Sequence, residues 1–103
     1  MDESVVILCT APPDRSEEIA KALIEDSLAA CVNISGVKSY YMWEGEPCAE
    51  KEDLLIIKTR KERMNEIISK ITELHSYGVP EIIALPIIGG YGRYLEWVGE
   101  ATR

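Results

Sequence analysis

One histidine and three cysteines are the side chains of this sequence best suited to hold a soft metal or attack a substrate. His75 is the only imidazole, and the thiols are Cys9, Cys31 and Cys48. Imidazole and thiolate suit copper and zinc, and a carboxylate can complete such a site. Their spacing forms no local ligand motif, so the fold has to bring them together. An odd number of cysteines without paired spacing is neither a disulfide scaffold nor a zinc ribbon, and points to reduced thiols in a reducing compartment. Cys31 opens an apolar run and reads as core. Cys48 lies in a turn region, where a surface cysteine, a soft-metal ligand and a reactive thiol are all open readings. Nucleophilic catalysis would have to pair His75 with Cys9 or Cys48. Nothing in the sequence orients that histidine, and no paired-carboxylate motif is present, so the reading is not an enzyme.

Two further groups could carry chemistry. Glu44, Glu46, Glu50, Glu52 and Asp53 form an acidic cluster interrupted by Lys51. Carboxylate oxygens suit hard cations, although such a run is commonly a solvated turn. Gly89-Gly90-Tyr91-Gly92-Arg93 ahead of a helical pattern could cradle a phosphate. It lacks both the dinucleotide spacing and the Walker lysine, so a connecting loop is the plainer reading.

The elements that position these residues must fit into 103 residues, enough for one domain with one core. An apolar fraction of 47% and a charged fraction of 28% are those of a globular protein rather than a disordered one. The net charge is −7, and the first fifty residues, with ten acids against three bases, carry the whole excess. Such a chain repels phosphate backbones, which disfavours nucleic acid and favours cations as partners. No apolar run approaches the roughly 20 residues that span a membrane. Met1-Asp2-Glu3 places negative charge where a signal peptide needs positive charge, so the expected compartment is the cytoplasm.

Residues 4–10, SVVILCT, read as a central strand, apolar on both faces and stopped by Pro12 and Pro13. Asp14 followed by Glu17 resembles a capping box, and Ile19, Ala20, Leu23, Ile24 and Leu28 continue at helical spacing to about Ala30. Residues 31–43 form a strand with Gly36 as a bulge or bend. Residues 44–47 form a turn, and residues 53–59 the return strand. Thr59 and Glu62 read as a second capping box. Met64, Ile67, Ile68, Ile71 and Leu74 then mark the cleanest amphipathic helix. Residues 80–88 are a strand whose Pro80 and Pro86 place it at an edge. Tyr94, Leu95, Val98 and Ala101 give a short last helix. The order βαββαβ plus a helix is that of a ferredoxin-like α+β sandwich with an antiparallel sheet. Its second sheet face is expected to lack helices.

A domain of this length has a radius of gyration of about 13 Å. Residues 31–43, fully extended, would run about 43 Å. The hairpin should overshoot the body unless Gly36 turns it back. Its tip carries Tyr40, Tyr41, Met42 and Trp43, apolar on both faces, so pairing with other subunits is expected.

The sequence resembles the CutA family of divalent-cation tolerance proteins. The segments that carry the resemblance are Val6-Ile7-Leu8-Cys9-Thr10-Ala11, Leu28-Ala29-Ala30-Cys31-Val32-Asn33-Ile34 and Ser39-Tyr40-Tyr41-Met42-Trp43-Glu44-Gly45. They continue with Glu52, Lys58-Thr59, His75-Ser76-Tyr77-Gly78-Val79-Pro80-Glu81-Ile82-Ile83, Leu85-Pro86-Ile87 and Tyr94-Leu95-Glu96-Trp97. The resemblance implies a ferredoxin-like fold, a homotrimer paired through hairpin strands, and binding of divalent cations, copper first and zinc second, linked to metal tolerance. It implies Cys9, His75 and Glu81 as cation ligands, and places Tyr40, Tyr41, Trp43 and Glu52 at the trimer interface or in a cleft, Glu52 near Trp43. Taken without it, Cys9 is a small core residue, His75 a cation at a helix C-terminus and Glu81 a solvated charge. Ser76 and Gly78 stand where the family usually has proline and a bulkier residue, which should loosen the backbone at His75. Pro47 and Cys48 replace the usual aliphatic residue after the turn. Ferredoxin-like trimers of the PII signalling type offer an alternative, a sensor that binds a nucleotide or small ligand at subunit clefts.

Overall fold

The computed structural model describes residues 3–103. Met1 and Asp2, used above to judge the N-terminus, lie outside the described residues. The elements are β1 (Ser4–Ala11), α1 (Pro13–Glu25), β2 (Cys31–Trp43), β3 (Glu46–Arg60), a 3-10 turn (Lys61–Arg63), α2 (Met64–Leu74), β4 (Ile82–Pro86) and α3 (Gly92–Ala101). The sheet order β2-β3-β1-β4, antiparallel throughout, is that of the expected sandwich. β1 is central and β4 forms an edge, as the apolar run and the prolines indicate.

Strand register decides which side chains meet. Val5, Ile7, Cys9 and Ala11 of β1 alternate into the core. Their partners Thr59, Ile57, Leu55 and Asp53 share that face. Ile19 and Leu23 of α1 and Ile67 and Ile71 of α2 cover it with no side-chain exposure. The Thr59 hydroxyl, placed in a capping box by sequence, instead donates to the Leu28 carbonyl at 2.6 Å from within β3. It ties the return strand to the chain just after α1.

Both ends of α1 differ from expectation for identifiable reasons. Pro13 fills the first helical position, where its missing N–H costs nothing, and no side chain caps the helix. The helix stops at Glu25 rather than near Ala30. Ser27 adopts φ 56°, while Leu28 N–H donates to Leu23 O at 2.9 Å and Ser27 N–H to Ile24 O at 3.0 Å. That is a Schellman motif, and Leu28 is buried as its apolar contact, which mimics one more helical turn in the sequence.

β2 and β3 pair without interruption from Cys31 with Lys58 to Trp43 with Glu46. Gly36 opposes Asp53 in regular register and is no bulge. The turn is the two residues Glu44 and Gly45, at φ 50° and 79°, as a type I′ hairpin requires. The return strand therefore begins at Glu46 instead of Asp53 and runs straight through Pro47 and Cys48. β1 stops opposite Asp53, so residues 46–52 have only β2 beside them, and Pro47 removes no needed donor there. The arm is not folded back: the molecule measures 44 × 25 × 21 Å.

The second sheet face is not bare, which corrects the expectation. α3 packs against β1 and β3. Tyr94 lies near Cys31, whose partner Lys58 points away from the core. Two arginines hold the far end of α3: Nη2 of Arg60 and Nε of Arg63 donate to the Thr102 carbonyl at 2.6 and 2.7 Å.

Candidate functional site

The C-terminal end of β1 gathers the candidate residues. Cys9 lies fully buried in the strand. Burial, then the carboxylates of Glu81 and Glu52, push its thiol up to about 12, so it keeps its proton at neutral pH. Glu81 directly precedes Ile82, the β4 partner of Cys9, and is exposed. His75 follows α2 as its C-cap, and its ring turns inward.

The two ring nitrogens of His75 have distinct partners. Nε2 lies 2.8 Å from the Thr10 carbonyl, and Nδ1 accepts from the Tyr77 N–H at 3.1 Å. A carbonyl only accepts, so the proton sits on Nε2 and the Nδ1 lone pair faces Tyr77. His75 is thus anchored at both ring nitrogens, and a cation at Nδ1 would have to displace the Tyr77 N–H. Among the described residues, no three His, Cys, Asp or Glu side chains are gathered closely enough to hold a metal ion. Cys9, His75 and Glu81 surround one strand end without closing a site within one chain.

A second network adjoins the first. The Tyr77 hydroxyl donates to Oε2 of Glu52 at 2.8 Å and lies 3.3 Å from Oε2 of Glu50. The rings of His75 and Tyr77 are 4.6 Å apart, so the two networks share a wall. Burial, followed by the Glu52 hydrogen bond, raises the Tyr77 phenol above its usual range. Tyr41 donates to Glu50, and that bond raises its phenol to about 12. Glu52 is only 5% exposed. The register puts it opposite Val37, six positions from the Trp43 and Glu46 pair, about 20 Å along the strand. Within the chain Glu52 therefore serves Tyr77 at the root of the arm and is not beside Trp43. Sequence reasoning missed this bond, because the two residues stand 25 positions apart and no local pattern links them.

Farther out, Tyr40, Tyr41, Met42 and Trp43 are exposed, Tyr40 by 73% and Trp43 by 51%. The outer edge of the sheet at β4 is equally open: Ile83, Leu85 and Val79 are exposed, and Ile88 entirely so. The Gly89–Gly90 stretch lies on this same surface, and Gly90 packs against Leu95. Cys48 is half-buried near the tip, with its thiol 3.7 Å from the Glu46 carbonyl. Among the described residues no helix is long and apolar enough to cross a membrane.

Known proteins share this arrangement. The family model for the CutA1 divalent ion tolerance protein matches residues 5–101. The chloroplastic protein CutA of Arabidopsis thaliana is 43% identical over 102 residues, covering 97% of this chain. This chain spans 56% of that relative's length. The structure of the periplasmic divalent cation tolerance protein CutA from Archaeoglobus fulgidus superposes with a TM-score of 0.95 at 42% identity, covering 97% of this chain and 99% of that one. A PII-like protein CutA from a Nostoc species, in apo form, gives 0.92 at 33% identity, covering 96% and 97%. With a family model spanning nearly its whole length and close structural similarity to members of that family, the chain belongs to the CutA1 divalent-ion tolerance family.

Proposed function

We propose that this chain acts as a homotrimer that binds divalent transition metal, copper in first place and zinc in second, and thereby contributes to metal tolerance. The ligands we assign are Cys9, His75 and Glu81. What supports the reading is that His75, fixed by the Thr10 carbonyl, and Glu81, next to the β4 partner of Cys9, both lie near the strand end that carries Cys9; a cation at Nδ1 has to displace the Tyr77 N–H. A cation there has to displace the Cys9 proton, so binding releases a proton and weakens as pH falls. The free thiols of Cys9, Cys31 and Cys48 fit a reducing compartment, and the cytoplasm is the compartment we assign. The relatives named above include chloroplastic and periplasmic proteins.

The trimer reading is supported by two bare strand edges, β2 and β4, and by aromatic side chains exposed along the arm. Apolar edges of this kind are covered by further copies in stable assemblies. The test is a native mass spectrum with stoichiometric copper. A mass of three chains carrying copper, with the copper lost in His75→Ala and reduced in the surface variant Glu81→Gln, is the expected result. Copper retained at full affinity in both variants would remove the ligand assignment. Trp43→Glu should leave a folded chain that assembles more weakly, and an unaltered trimer would remove the arm from the interface.

The PII-like neighbour supports a second reading, a sensor that takes a nucleotide or small ligand in subunit clefts. A trimer that retains ATP and ignores copper in the same experiment would favour it.

A further inference from the structure

Among the described residues, no cation pairs with the carboxylates at the root of the arm. Glu50 and Glu52 lie two residues apart on one face of β3 and share the single proton of the Tyr77 hydroxyl. Every side chain that anchors them is a neutral phenol, and among the described residues neither carboxylate has an ion pair. Glu52 is nine-tenths buried, and a buried charge without a counter-ion is costly. Lys51 lies between them in sequence and therefore points to the opposite face.

The complementary feature lies on α3. Arg93 is exposed and makes no ion pair among the described residues. Its surroundings are unlike those of a solvated cation. Ile88 is 99% exposed, Tyr91 72%, and Tyr94 and Trp97 are exposed beside them. Lys21, Lys38, Lys51, Lys58 and Arg103 also make no ion pair among the described residues, but Lys38 and Lys51 face each other on the side of the arm opposite Glu50 and Glu52, and Lys58 meets Asn33.

We propose that Arg93 of a second copy is the counter-ion of Glu50 and Glu52, with residues 88–93 of that copy seated against the arm beside Tyr41 and Trp43. The occupant follows from charge complementarity and from apolar surface on both sides. A guanidinium offers paired donors in a planar fork, which suits two neighbouring carboxylates better than an ammonium does. The rings of Tyr41 and Tyr77 beside the two carboxylates exclude water and strengthen the pair. The donating and accepting patches are different surfaces of one chain, so the contact runs head to tail and closes only as a ring. This inference rests on the homotrimer reading and adds to it a named contact.

The experiment is subunit exchange between mass-labelled copies of the full chain, followed by native mass spectrometry. Arg93→Glu and Glu50→Arg should each speed exchange by about tenfold or more, as the loss of a close interfacial charge pair does. The double variant should return toward the wild-type rate. Arg93→Gln, milder for folding, should fall between. Single variants exchanging at the wild-type rate, or a double variant no slower than its parents, would overturn the contact while leaving the trimer standing. A wild-type chain that is monomeric at all concentrations would overturn the homotrimer reading itself, and this contact with it.

Discussion

The body and the arm of this molecule are built from the same two strands and obey different rules. Below Asp53, β3 lies between β2 and β1, and Leu55, Ile57 and Thr59 are fully buried against two helices. Above it, the same strand has one neighbour, and its exposed residues alternate with Cys48 and Glu52. The body buries its apolar face against itself. The arm spreads aromatic side chains over both faces and leaves them open. Burial is thus concentrated in one half, and exposed aromatic surface in the other. The candidate site sits where they join, since Tyr77 bridges from the His75 turn to Glu52.

Truncating the body should show the largest effect. Ile57→Ala removes a fully buried side chain between the helices and should cost about 2–5 kcal/mol in urea unfolding. A loss below about 1 kcal/mol would mean that the body does not carry the stability.

Alkaline titration separates the two halves by onset. The Cys9 thiol is raised from 9.0 to about 12 in the folded chain, so above pH 9 the unfolded chain loses a proton that the folded one keeps. Its contribution is complete below pH 9 and disappears as pH rises to about 12, at roughly 1.4 kcal/mol per pH unit. The phenol of Tyr41, raised from 10.0 to about 12 by Glu50, adds its smaller effect from pH 10 upward. Cys9→Ala should remove the early part of the slope and leave the later part. An unchanged onset would assign the effect elsewhere.

At the junction, Tyr77→Phe removes the donor to a buried carboxylate and should cost about 1–3 kcal/mol. At the tip the expected effect is smallest. Gly45→Ala, at φ 79°, should cost about 1 kcal/mol by backbone strain alone. A larger loss would show that the tip is packed in the assembled protein.

The sequence revealed the body better than the arm, for a physical reason. Helical and alternating periodicity records burial, and Ile67, Ile71, Ile7 and Leu23 are buried in this chain alone. Residues 46–52 bury little in one chain, so Pro47, Cys48 and the acids around them carried no strand signal. Strand pairing there follows from the two-residue turn, which pairs Trp43 with Glu46 and so starts β3 well before Asp53. The overshoot was readable because it depends only on chain length. Cys9, His75 and Glu81 were singled out as a set only through family resemblance, since they stand far apart in the sequence. The partners of Glu52 and His75 lie far apart in sequence, and no local pattern could supply them.

The grip of Arg60 and Arg63 on the Thr102 carbonyl has a kinetic consequence. It joins positions 42 and 39 residues apart, so it fastens α2, β4 and α3 into one closed loop of chain. A C-terminal helix ordinarily frays first, and its amides exchange with solvent fastest. Here the last turn of α3 can open only when two charge-assisted bonds release together. Its amides should therefore exchange with those of the body, which makes the chain terminus a late step in unfolding rather than its starting point.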